Sequence, residues 1–112
     1  MTRIFDASLT IGHFRAKYAG RGDPYREIRR HARSITRTWH QVCMAPGCNY
    51  RKHVETCHLT PIADFPATTS ITQINDPSNL ILLCPNHHKE FDSGELVVED
   101  RISGLSDKDI ID

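Results

Sequence analysis

At 112 residues the chain has room for one small domain and not for two. With 38% hydrophobic and 25% charged residues it has the make-up of a folded soluble domain, which excludes wholesale disorder, and no apolar run approaches a membrane span. The formal net charge of zero hides an asymmetry: residues 1–52 carry 11 Lys and Arg against 3 acids, and residues 53–112 carry 3 against 11.

The basic half is suited to an anionic partner, nucleic acid first. The plainer reading is that the two halves neutralise each other across the fold or across a dimer. The N-terminal residues lack the apolar stretch of a secretory signal, so a cytoplasmic location is expected. In that reducing setting the four Cys suit metal binding better than disulfides.

Along the chain, Ile4, Phe5, Leu9, Ile11 and Phe14 suggest a strand or a docked arm. Gly20, Gly22 and Asp23-Pro24 then break the chain. Asp23 is placed to cap a helix from about Pro24 to about Trp39. Tyr25, Ile28, Ala32, Ile35 and Trp39 form its apolar stripe. Arg26, Arg29, Arg30, Arg33 and Arg37 fall mainly off that stripe. Guanidinium groups bind phosphate in forked pairs, so this face is expected to meet nucleic acid, with Arg51 and Lys52 extending it. The bland alternative is a solvated face whose Arg stems cover apolar surface.

Cys43 and Cys48 bracket Ala45-Pro46-Gly47, a turn that can aim two sulfurs inward. Cys84 and His87 form a second pair, C-x2-H. Together they offer a Cys3His set for a structural zinc. Residues 53–58 read as a strand, and a long, largely irregular loop is expected from 59 to about 78. Asn79 to Leu83 reads as a second strand. Pro85 opens a helix to about Asp92, and Ser93-Gly94 stops it. Residues 95–99 suggest a short strand, and 100–112 an acidic tail or edge element.

Three stretches stand out: Cys57-His58-Leu59-Thr60-Pro61-Ile62, Asn79-Leu80-Ile81-Leu82-Leu83-Cys84-Pro85-Asn86-His87-His88 and Phe91-Asp92-Ser93-Gly94. On these residues 43–94 resemble an HNH nuclease domain of the zinc-containing ββα-metal class. The resemblance implies an α+β fold: a ββα finger stapled by zinc, here with a basic helix before it. Residues 1–42 would be an arm and Arg-rich helix, 43–99 the nuclease domain and 100–112 the tail. It also implies that His58 is a general base held at its other nitrogen by loop carbonyls near 61–64, and facing His88. Asn79 would clamp the loop, and His88 would bind a divalent metal such as Mg²⁺, Mn²⁺ or Ni²⁺.

The sequence departs from the family pattern in three places. Cys43 and Cys48 are spaced more widely than usual, and His87 stands where a Cys is commoner. Cys57 occupies a position that often holds a metal ligand, and a thiolate matches Mg²⁺ poorly. Asp92, one helical turn after His88, is then the expected second ligand, with Glu55 either supporting a ligand from behind or held in reserve. The remaining His13, His31, His40 and His53 read as surface or packing residues. DNA is the expected partner and RNA the second candidate; a double-strand break would call for a homodimer, a nick would not. Two alternatives remain open from the residues alone: an inactive zinc-stapled nucleic-acid-binding module, and a zinc-dependent protein-interaction domain.

Overall fold

The computed structural model describes residues 5–97. The chain runs α1 (Ile11–Lys17), α2 (Arg26–Thr36), β1 (Glu55–His58), α3 (Ile71–Ile74), β2 (Leu80–Leu83) and α4 (Pro85–Asp92). β1 and β2 pair antiparallel, Glu55 opposite Leu83 and His58 opposite Leu80. Helices α2 and α4 each pack on both strands.

A two-stranded ribbon is marginal unless its faces are covered. Here both are. Side chains alternate across a strand, so Ile81 and Leu83 join the α4 side with Cys57, Cys43 and Phe91. Leu80 and Leu82 turn the other way, and all four β2 residues are at most 1% exposed. That double burial explains why β2 reads as an unbroken apolar run. On the α2 side Ile28 joins Ile11, Phe14, Ile62, Ile71 and Ile74 in a second core.

The N-terminal segment is a docked arm that includes a helix rather than a strand. Thr10 caps α1 by accepting from the His13 amide at 3.3 Å, and Ile11 and Phe14, three apart, bury one face. The helix α2 is shorter than the expected 24–39. Asp23 does not cap it: Asp23 accepts from the Tyr25 amide and pairs with Arg29, while Tyr25 stands at the N-cap without a side-chain bond.

The 59–78 segment is more regular than expected. It holds two 3₁₀ turns, Ile62–Asp64 and Pro77–Asn79, and the helix α3 between them. Ser70 and Gln73 form a reciprocal capping box at α3, a pattern legible as S-x-x-Q before an apolar pair. The arm ties this segment down. Leu9 and Ala7 carbonyls accept from Ile71 and Thr72, and Ile11 and Gly12 donate to Thr69 and Ala67, each at 2.9 Å. Arg15 donates to the carbonyls of Ala63 and Phe65 at 3.2 and 2.9 Å. At the other end Gly94, with φ 84°, stops α4. Residues 95–97 form no strand; 98–99 and the expected tail at 100–112 lie outside the described residues, as does Ile4.

Gly12 shows how close the arm sits. A Cβ there would stand 2.8 Å from the Ala67 carbonyl oxygen, which is backbone and cannot swing aside. Gly→Ala within a helix ordinarily stabilises by about 1 kcal/mol. Gly12→Ala is expected to reverse that sign and cost about 1–3 kcal/mol, read as a lower midpoint in urea denaturation.

Candidate functional site

The Cys3His set assembles as its spacing suggests. Cys48 donates its amide to the Ala45 carbonyl at 3.0 Å across Pro46-Gly47, and Gly47 has φ 81°. Proline followed by a positive-φ glycine is the signature of a type II turn, and only glycine adopts that φ without strain. Cys43 closes the knuckle by donating to the Tyr50 carbonyl at 2.9 Å. Cys84 is the N-cap of α4, its sulfur accepting from the His87 amide at 3.5 Å. One ligand atom from each of Cys43, Cys48, Cys84 and His87 lies within 4.8 Å of the others.

Nδ1 of His87 stands 3.4 Å from the Cys43 sulfur and 3.3 Å from that of Cys84. Zinc bond lengths in a tetrahedron give edges of about 3.5–3.8 Å, so the set could hold zinc. The α4 amides, that of His87 first, pull the Cys84 thiol down to about 7, while burial raises that of Cys43 to about 11. Cys84 is therefore the ready thiolate, and a metal would deprotonate the others on binding.

Alternation on β1 sends its residues to two layers. Glu55 and Cys57 face α4; Thr56 and His58 face α2. Adjacent on their helix, His87 and His88 part ways too. Nδ1 of His88 meets Glu55 Oε1 at 2.6 Å, and Nε2 faces Asp92 Oδ2 at 3.4 Å. Glu55 thus meets one nitrogen of the ring and Asp92 the other. Cys57 is buried, and burial, then the charges of Asp92 and Glu55, push its thiol up to about 12. Its side chain packs in the core with Cys43, Ile81 and Leu83. Glu55 and Asp92 stand at opposite ring nitrogens of His88, so these three do not converge on one point as the Cys3His ligands do. An imidazole beside a carboxylate still suits a hard or borderline divalent cation.

His58 does not share the His88 face. Thr56, on the same face, bonds Thr36 of α2 at 2.7 Å. Nε2 of His58 lies 2.6 Å from Asn75 Oδ1, and no carbonyl of 61–64 holds it. Of the carbonyls there, that of Ala63 accepts from Arg15 and that of Pro61 from the Asp64 amide. Asn75 is 1% exposed, and its Nδ2 lies 2.9 Å from both the Ile28 carbonyl and Nδ1 of His31. Burial lowers the pKa of His58 from 6.5, the charge of Arg29 adds to the fall, and the Asn75 bond opposes it. Asn75 and His31 are the residues that sequence reasoning missed. His31 is half-buried under the Phe5 ring, 4.8 Å between centroids. His13, His40 and His53 are exposed as expected.

Asn79 does hold the loop after β1. Its Oδ1 accepts from the Thr60 amide at 2.8 Å, and Nδ2 donates to Thr60 and Ile74 carbonyls at 3.3 and 2.9 Å.

At about 100° per residue, Arg26, Arg29, Arg30, Arg33 and Arg37 share one exposed arc of α2 about 100° wide. A groove of about 550 Å³ runs along one side of it. Arg29, Arg33 and Arg37 line it with Thr56, Glu55 and His88, so it joins the arginines to the acid–imidazole cluster. Arg26 and Arg30 stand outside the groove, as do Arg51 and Lys52 on the exposed chain beyond the knuckle. His58 is not among its lining residues.

A family model described as HNH endonuclease matches residues 24–99, which takes in α2 as well as the finger. No curated protein and no solved structure matches the chain. Among the described residues no helix is long and apolar enough to cross a membrane.

The cluster of Cys43, Cys48, Cys84 and His87 leads to a direct expectation. Metal analysis of the purified chain should find one tightly held zinc per chain. Cys84→Ser should lower that content and shift the thermal midpoint down by several degrees, and a strong chelator should do the same to the parent protein.

Proposed function

Because the chain belongs to the HNH endonuclease family, we propose that it hydrolyses phosphodiester bonds of DNA with the aid of a divalent metal, His58 acting as general base. The observation that carries this reading is His88, held between Glu55 and Asp92 beside a groove lined by three arginines. Carboxylates and an imidazole at the end of a cationic track suit a metal and a phosphate together. A solvated arginine face would have no reason to end on such a cluster.

His88 would hold the metal through Nε2 beside Asp92, with Glu55 fixing the ring from its other nitrogen. Bound there, it would supply positive charge for the scissile phosphate and the leaving oxygen. His58 would take the proton of the attacking water. The imidazole and the acid cluster approach from opposite faces of β1. To engage both, a phosphodiester would have to reach across β1 from one face to the other. Asn79 would fix the path of the chain just after His58 through Thr60. Arg33 and Arg37 would hold flanking phosphates, giving salt-sensitive affinity without base specificity.

Plasmid cleavage with Mg²⁺, Mn²⁺ and Ni²⁺ tests the reading. His58→Ala is expected to lower the rate about 10²- to 10⁴-fold while DNA binding persists. Metal-independent binding with no cleavage by the parent chain would instead make it a nucleic-acid-binding module.

The lowered pKa of His58 sets the pH profile. A base works when unprotonated, so the rate should rise with pH through a midpoint below 6.5 and stay flat above it. A midpoint well above neutral would remove His58 from that role. Arg33→Ala with Arg37→Ala should weaken binding to all DNA sequences alike and flatten its dependence on salt.

A further inference from the structure

Asn75 lies in neither the groove nor the metal-binding sets, yet its side-chain amide is buried and fully committed. An amide offers two N–H donors and one acceptor oxygen. The Ile28 carbonyl can only accept, so the group 2.9 Å from it must be Nδ2. Turning the amide over would set two oxygens against each other. The second hydrogen of Nδ2 then goes to Nδ1 of His31, which must be unprotonated at that atom. Oδ1 is left facing Nε2 of His58 at 2.6 Å and can only accept. The proton of that bond therefore belongs to His58, on Nε2.

We infer that Asn75 is a positioning residue for the reaction: its amide, locked by the Ile28 carbonyl, holds His58 as the Nε2–H tautomer and leaves Nδ1 as the nitrogen that accepts a proton. This rests on the reading of His58 as general base. A neutral imidazole free to adopt either tautomer spends part of its time with the wrong nitrogen protonated, whereas the amide removes that choice. His31 completes the amide's bonds without choosing its orientation, since the Ile28 carbonyl has already done so.

Two-bond proton–nitrogen NMR on the zinc-loaded full chain, above the imidazole titration range, reads the tautomers directly. His58 is expected as Nε2–H, and as the same tautomer in His31→Ala. Asn75→Asp, whose second oxygen would need a proton to satisfy the Ile28 carbonyl, still offers Nε2–H an acceptor and should keep the tautomer. Asn75→Ala should lose the preference, and should lower kcat by about 10²-fold or more with KM little changed. A parent spectrum showing Nδ1–H would overturn the inference, as would an Asn75→Ala variant that retains Nε2–H or full kcat. Should Asn75→Ala fail to fold, the parent and Asn75→Asp spectra still decide. A chain that shows the expected tautomer and cleaves no DNA would sink the nuclease reading while leaving the amide's control of His58 intact.

Discussion

A strand of four residues serves two layers at once, and most of the architecture follows from that. With a side-chain period of two, β1 has two positions for each face. Glu55 and Cys57 go to α4, Thr56 and His58 to α2. One residue of slip would exchange every partner, placing Cys57 against α2 and His58 in the sulfur-rich core. Register is held from both sides: β2 is buried throughout, and Asn79 bonds Thr60 just beyond the strand's end.

The Cys3His set closes the α4 side. It joins the knuckle, the end of β2 and the first turn of α4, three segments otherwise linked by few regular hydrogen bonds. A domain this small has limited apolar surface to bury, and a metal held there would supply what the core does not. It also sets the rotation of α4. With His87 turned to the sulfurs, His88 must look about 100° away, toward Glu55. The imidazole turned to the sulfurs and the one turned to the carboxylates are thus separated by helical geometry alone.

Local signals made much of this legible. The apolar run of β2, Pro85 at the start of α4, Gly94 past its end and the Pro-Gly turn between two thiols each act within a few residues, so the sequence displays them. The stripe of Ile28 and Ala32 and the arginine arc of α2 were equally plain. Harder were features made by distant parts. His31 carries no sign that it meets Asn75, 44 residues away. Asn75 itself resembled an ordinary loop residue among Asp76 and Pro77. The docked arm is borne out over the described residues and the strand is not, because the two-residue spacing of Leu9 and Ile11 masked the three-residue spacing of Ile11 and Phe14. Strand alternation was available in principle, and would have shown that His58 and Glu55 cannot share a face.

The arm bears on where the working unit begins. Residues 24–99 match the family and contain the groups assigned to phosphate, metal and water. They omit Arg15, which holds the Ala63 and Phe65 carbonyls, and Ile11 and Phe14, which fill the core beside Ile71 and Ile74. They also omit the Phe5 ring that covers His31. A portable cassette cut at the homologous boundary would carry every reactive group and lack the clamp on the segment that presents Asn75. The folded unit is therefore longer than the part that matches the family, and a transplant into a fusion protein would do best with the preceding arm included.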